Sequence, residues 1–149
     1  MKEDLTVSNS IDINVSPSEL WKGLTDPEII KDYLFGTKTE TDWKPGSEVV
    51  FQGEYEGKTY RDHGIVKENV ENKLLSYTYW SSMSGLEDKP ENASLITYTL
   101  KPKEENVTTF TWTQKGFADE NSYNHTVTGM NDFMKKIKEV VEANLDLRS

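Results

Sequence analysis

The sequence predicts an α+β fold: a curved antiparallel sheet wrapped around one long C-terminal helix, with a cavity between them. Three observations carry this expectation. Helix-start signals sit close together near the beginning, at Ser16-Pro17 and Thr25-Asp26-Pro27. From Thr37 to Gln114 short alternating strands are broken by turn residues. The closing segment then sets Tyr123, Val127, Met130, Met134, Ile137 and Val141 at alternating four- and three-residue spacing. A helix turns that spacing into a single buried face, and its one available partner is the sheet.

Each element follows in order. The first strand reads Leu5 to Val15, with Val7, Ile11, Ile13 and Val15 on one side and Ser8, Ser10, Asp12 and Asn14 on the other. Ser16 caps the first helix and Pro17 occupies its first turn, while Leu20, Trp21 and Leu24 supply an apolar face. Asp26-Pro27 restarts the chain as a second short helix through Ile29, Ile30 and Tyr33 to Gly36. Two caps so close together make a plug rather than long rods.

The β middle is then read strand by strand. Thr37 to Trp43 is a polar strand, closed by the Lys44-Pro45-Gly46 turn. Val49, Phe51 and Gly53 alternate with Val50, Gln52 and Glu54, and Glu56-Gly57 turns the chain into a long strand, Thr59 to Val70, with Gly64 inside it. Lys73 to Ser81 places Leu75, Tyr77 and Tyr79 opposite Ser76, Thr78 and Trp80. After a loop over 82–92, Ile96, Tyr98 and Leu100 face away from Leu95, Thr97 and Thr99. The last strand sets Phe110, Trp112 and Gln114 against Thr109, Thr111 and Thr113. One sheet face is therefore aromatic and aliphatic, and the other is largely threonine, which suits water. A closing helix of roughly 25 residues, about 37 Å long, can cover the apolar face. No repeat, linker or composition shift divides the chain, so residues 1–149 are expected to form one domain.

Composition narrows the function. The chain has 149 residues, enough to bury roughly 70% of its unfolded surface. No apolar run reaches membrane-spanning length, and Met1 to Val7 lack the apolar core of a signal peptide, so a cytoplasmic protein without membrane insertion is expected. Cysteine is absent, which excludes disulfides, thiol catalysis and cysteine-ligated metal. The net charge is −9 and Arg61 and Arg148 are the two arginines, so a polyanion such as nucleic acid would be repelled.

Specific stretches carry a resemblance. The run VSPSELWKGLTDPEIIKDYLFG (15–36) resembles the strand exit and helical pair of the activator of heat shock protein 90 ATPase homologue family. That family lies within the START-like (SRPBCC, Bet v 1-like, helix-grip) superfamily. Pro45-Gly46, His63-Gly64-Ile65-Val66, LLSYTYW (74–80), TFTWTQKGF (109–117) and GMNDFMKKIKEVVE (129–142) extend the similarity over nearly the whole chain. The resemblance implies a β-α-α-β6-α domain with a cavity between sheet and closing helix, and a setting in the stress response. The eukaryotic co-chaperones are similar over one domain only and carry a further domain that engages the chaperone. A chaperone or other protein partner is thus one expected class. Related START-like families include polyketide cyclases, which makes a cyclase-like enzyme another. Family members often place tryptophan after the helix glycine; here Met130 follows Gly129, a softer side chain that would enlarge the cavity.

Binding of a hydrophobic or aromatic small molecule is the leading reading, and strand parity names its residues. Phe51, Tyr77, Tyr79, Tyr98, Phe110 and Trp112 point from the sheet toward the helix; Val127, Met130 and Met134 answer from the helix, with Tyr33 at one mouth. Tyr60, Asp62, His63 and Gln114 are the candidate polar groups. Parity near Gly64 leaves open whether Tyr60 and Asp62, or Arg61 and His63, face inward, because a one-residue slip exchanges them. No catalytic set is assigned: His63 and His125 are the two histidines, and neither joins a serine in a nucleophile motif. No spacing of nitrogen and oxygen ligands suggests a metal, and no cofactor is expected. Gly129, inside the closing helix, is expected to mark close packing or a kink that shapes the cavity mouth.

Overall fold

The structure, a computed structural model, describes residues 1–148. Ser149, the last residue of the expected 1–149 domain, lies outside the described residues. The chain runs β1 (Lys2–Ile13), α1 (Pro17–Thr25), α2 (Pro27–Tyr33), β2 (Lys38–Glu40), β3 (Glu48–Tyr55), β4 (Lys58–Val70), β5 (Leu74–Tyr79), β6 (Ser94–Glu104), β7 (Val107–Phe117) and α3 (Glu120–Arg148), with a single 3-10 turn at Pro90–Asn92. The order is β-α-α-β6-α, and all strands join one curved antiparallel sheet ordered β1-β7-β6-β5-β4-β3-β2.

The helical plug forms for the reasons legible in its caps. Ser16 Oγ accepts the Glu19 N–H at the start of α1. Asp26 serves both helices: its own N–H closes α1 on the Lys22 carbonyl, and its Oδ1 opens α2 by accepting the Glu28 N–H at 2.9 Å. The second helix stops at Tyr33, earlier than the expected Gly36. Phe35 turns left-handed at φ 53°, and the Gly36 N–H returns to the Lys31 carbonyl, a Schellman closure that ends the helix within its own last turn. The expected strand 37–43 likewise shortens to Lys38–Glu40, because Trp43 adopts φ 62° and swings inward, its indole N–H donating to the Thr25 carbonyl at 2.8 Å.

The closing helix lies on β1, an edge strand, and on the helical plug. Met130, Met134, Ile137 and Val141 are buried. Glu142 accepts the Asn14 N–H at 2.9 Å and pairs with Lys138, while Asn9 donates to Asn131 across the same contact. Gly23 lets α1 approach closely: a Cβ there would lie 2.6 Å from Val141 Cγ2. Val127, expected on the buried stripe, is 47% exposed, and Gly129 faces open space with nothing within 4 Å of where a Cβ would stand. The glycine neither packs closely nor shapes the cavity mouth. Both corrections have one cause, the departure of the first half of α3 from the apolar stripe.

Gly64 decides the parity of β4. A Cβ there would sit 1.7 Å from the Thr78 carbonyl oxygen, so no other residue allows β4 and β5 to come this close. Between the pairs Val66–Tyr77 and His63–Trp80, the Thr78 hydroxyl rather than a carbonyl accepts the Ile65 N–H, at 2.8 Å. The resulting register turns Tyr60 and Asp62 inward, and Arg61 and His63 outward. Gly64→Ala is expected to destabilise the fold by about 3 kcal/mol or more, since the clash is with backbone that cannot repack. Gly129→Ala is expected to be neutral or stabilising by up to about 1 kcal/mol. Urea unfolding of the two variants checks both, and a Gly64→Ala protein as stable as its parent would contradict the close approach.

Candidate functional site

Between the concave sheet face and the first half of α3 lies a cavity of about 650 Å³. Sheet parity supplies its floor. Phe51 of β3, Tyr77 and Tyr79 of β5, Ile96 and Tyr98 of β6, and Trp112 and Gln114 of β7 line it, as do Tyr60 and Asp62 of β4. The plug contributes Leu24, Ile30, Tyr33 and Leu34; Trp43 closes one side. From α3 come Asn121, Ser122, His125, Thr126 and Phe133. The aromatic rings pack on one another in tilted and edge-on pairs: Phe51 lies 5.8 Å from Tyr77 and 5.9 Å from Tyr79, Tyr77 5.6 Å from Tyr98, and Trp112 5.0 Å from Phe133.

The polar groups of the wall are paired in three sets. The Tyr77 and Tyr98 hydroxyls meet at 2.6 Å. The Tyr60 hydroxyl donates to Thr37 Oγ1 at 2.5 Å, and Thr37 passes its own proton to the Leu34 carbonyl. Gly53 makes this reach possible, since a side chain opposite Tyr60 would collide with its ring and hydroxyl. The third set centres on Asp62, which is buried. Its Oδ2 accepts the Tyr79 O–H at 2.5 Å, and its Oδ1 accepts both the N–H and the O–H of Ser82 at 2.8 Å. On β7, Gln114 donates to Ser94 Oγ at 3.2 Å, and the buried Trp112 indole N–H has no partner among the described residues.

The structure therefore brings Tyr33, Phe51, Tyr60, Asp62, Tyr77, Tyr79, Tyr98, Trp112 and Gln114 of the expected set to one cavity. Phe110 of β7 and Met130 and Met134 of α3 are instead buried core residues outside the cavity lining, and Val127 faces outward. Met130 thus cannot soften the cavity, which it does not touch. His63 lies on the opposite sheet face, where Nε2 meets Asp88 at 2.6 Å, Nδ1 lies 3.5 Å from Glu48, and the Trp80 ring flanks it. Among the described residues no group of three or more metal-ligating side chains converges, and no helix is long and apolar enough to cross a membrane.

Comparison with known proteins fits this geometry. The family model for Activator of Hsp90 ATPase homolog 1-like protein matches residues 14–142. The chain belongs to this family. Among solved structures, ChR145 from Cytophaga hutchinsonii is similar at 33% identity with a TM-score of 0.80, over 98% of this chain and 99% of that one. Protein MLL2253 from Mesorhizobium loti follows at 25% identity, TM-score 0.74, over 93% and 97% of the two chains. The Aha1 dimer from Colwellia psychrerythraea shares the fold at 18% identity, TM-score 0.69, over 92% and 96%. No curated protein matches the sequence. The architecture is the helix-grip, Bet v 1-like fold that the resemblance implied.

In this family member, sequence parity missed the helix side of the cavity. Phe133 stands one residue off the apolar stripe, and Asn121, Ser122, His125 and Thr126 read as a solvated helix start. Ser82 stands in the loop after β5, and no pattern in the sequence signals that it caps Asp62.

Burial has a measurable consequence for the wall. It pushes the hydroxyls of Tyr33 and Tyr77 well above the ordinary tyrosine value. Tyr79 is pushed up by burial and then by the Asp62 carboxylate beside it, and Tyr98 rises to about 12, the Tyr77 hydrogen bond partly offsetting its burial. A folded-state value above the unfolded one stabilises below the unfolded value of about 10 and loses that stabilisation as pH rises through the folded value. In an alkaline titration followed by phenolate absorbance, these four of the seven tyrosines are expected to stay silent until the protein unfolds. Seven independent ionisations near the ordinary value, with native circular dichroism retained, would contradict the burial of these four hydroxyls.

Proposed function

We propose that this member of the family binds a small hydrophobic or aromatic molecule in the cavity between sheet and closing helix. One observation carries the reading: a space of about 650 Å³, lined largely by apolar and aromatic side chains, separates the concave sheet face from the first turns of α3. Small-molecule pockets typically occupy about 300–1,000 Å³, with apolar and aromatic walls and a few placed polar groups. The wall here has that composition. Its hydroxyls are already satisfied by one another, so an apolar body can enter without stranding them.

The test is a neutral apolar probe with a variant that fills the space from the helix. Thr126 lies on α3, half-buried at the cavity wall, where a tryptophan is compatible with helix and would project into the void. N-phenyl-1-naphthylamine is expected to bind the parent saturably at one site, with a fluorescence increase. The Thr126→Trp protein is expected to bind it at least about tenfold more weakly, a loss of about 1.4 kcal/mol, at unchanged or higher melting temperature. Equal binding by the two proteins would remove the cavity from consideration.

A further inference from the structure

Asp62 is the one carboxylate that lines the cavity, and it has no cationic partner. No lysine or arginine is among the lining residues; His125 and the amino-terminal Met1 also line the cavity, but no hydrogen bond or ion pair of the described residues joins either of them to Asp62. Its three hydrogen bonds, two from Ser82 on Oδ1 and one from Tyr79 on Oδ2, all come from neutral donors. A carboxylate offers about four acceptor positions, so Oδ2 keeps one unused. Removing a charge from water without a counter-charge is costly, and neutral donors compensate it only in part. Around it stand aromatic rings: Phe51 and Tyr79 pack at 5.9 Å, and Tyr60 and Tyr77 line the same wall. Aromatic faces attract cations, and the net charge of −9 draws cations toward the protein as a whole.

We propose that the cavity is selective for amphipathic organic cations, an apolar or aromatic body bearing a protonated amine. The ammonium donates to Asp62 Oδ2, and the body lies against the Phe51, Tyr77 and Tyr79 rings. A neutral hydroxyl would fill the acceptor position and leave the charge uncompensated. An organic anion of the same shape would meet Asp62 with no lysine or arginine to offset it. The inference rests on the cavity being a ligand site, and its test separates the two.

Isothermal titration with three matched probes decides it: 2-(1-naphthyl)ethylamine, 2-(1-naphthyl)ethanol and 1-naphthaleneacetate, at one ionic strength and neutral pH. The amine is expected to bind about tenfold tighter than the alcohol, and the acetate weakest. In Asp62→Asn the amide still accepts from Ser82 and can donate to Tyr79, so the alcohol should bind within about twofold of the parent while the amine loses its advantage. Alcohol and amine bound equally by the parent would overturn the charge selectivity and leave the cavity reading standing. Binding of none of the three would overturn both. Should Asp62→Asn fail to fold, the order of the three probes on the parent still decides.

Discussion

The structure depends on an asymmetry along one helix. From Met130 onward α3 is anchored: Met130, Met134, Ile137 and Val141 are buried, Gly23 admits Val141, and Glu142 takes the Asn14 N–H. The first half presents Asn121, Ser122, His125 and Thr126 to the sheet instead. Polar side chains of that size neither fill the space above a concave aromatic floor nor gain by collapsing into it. Burying a leucine or phenylalanine at any of these positions would be worth about 1.5–3 kcal/mol. The chain forgoes that stabilisation at four positions of the first two turns, on either side of Tyr123, where the void results. The cavity is thus encoded as a change of residue type along a continuous helix, with no break in the backbone.

The sheet contributes the complementary constraint. Its edges are handled differently: β1 is covered by α3, while β2 is only three residues long and offers little to an additional strand. Between them, Gly64 permits β4 and β5 to approach until a carbonyl occupies the space of a side chain. That local geometry fixes which of two consecutive polar residues is inside. With the register as it is, Asp62 enters the aromatic wall and His63 goes to the outer face, where Glu48 and Asp88 receive it. One glycine therefore separates an acidic cavity from one that would have held a histidine.

Most of the fold was legible because its signals are local. Alternation along β1, β5, β6 and β7, the doubled caps at Ser16 and Asp26, and the buried stripe from Met130 onward each express a short-range rule that tertiary packing did not override. The failures share a different origin. Trp43 and Phe35 take left-handed backbone angles that carry no mark in a tryptophan or a phenylalanine. Val127 and Phe133 exchange roles because the helical period was extended from the anchored half into the half that lifts away. The Asp62–Ser82 contact joins a strand to a loop twenty residues on, and no propensity or periodicity reports such a pairing. Parity found the sheet side of the cavity; the helix side and the loop were fixed by three-dimensional closure.

Belonging to the family accounts for the architecture, but a shared fold does not by itself assign a function. What distinguishes one such cavity from another is the set of polar groups left over after the wall has satisfied itself. Here tyrosines stand where phenylalanines would pack as well, and their hydroxyls are consumed in pairs or on backbone carbonyls: Tyr77 with Tyr98, Tyr60 with Thr37, Tyr33 with Gly23. Such pairs hold the rings in place and present an apolar surface to the void, because a paired hydroxyl gains little from a further partner. On the sheet side, the residual chemistry is then concentrated on β4, at one acceptor position of Asp62, while α3 adds the polar side chains of Asn121, Ser122, His125 and Thr126. If the proposed binding holds, such a wall would discriminate by charge more strongly than by shape, since an unmet charge in a low-dielectric interior costs more than an imperfect apolar fit.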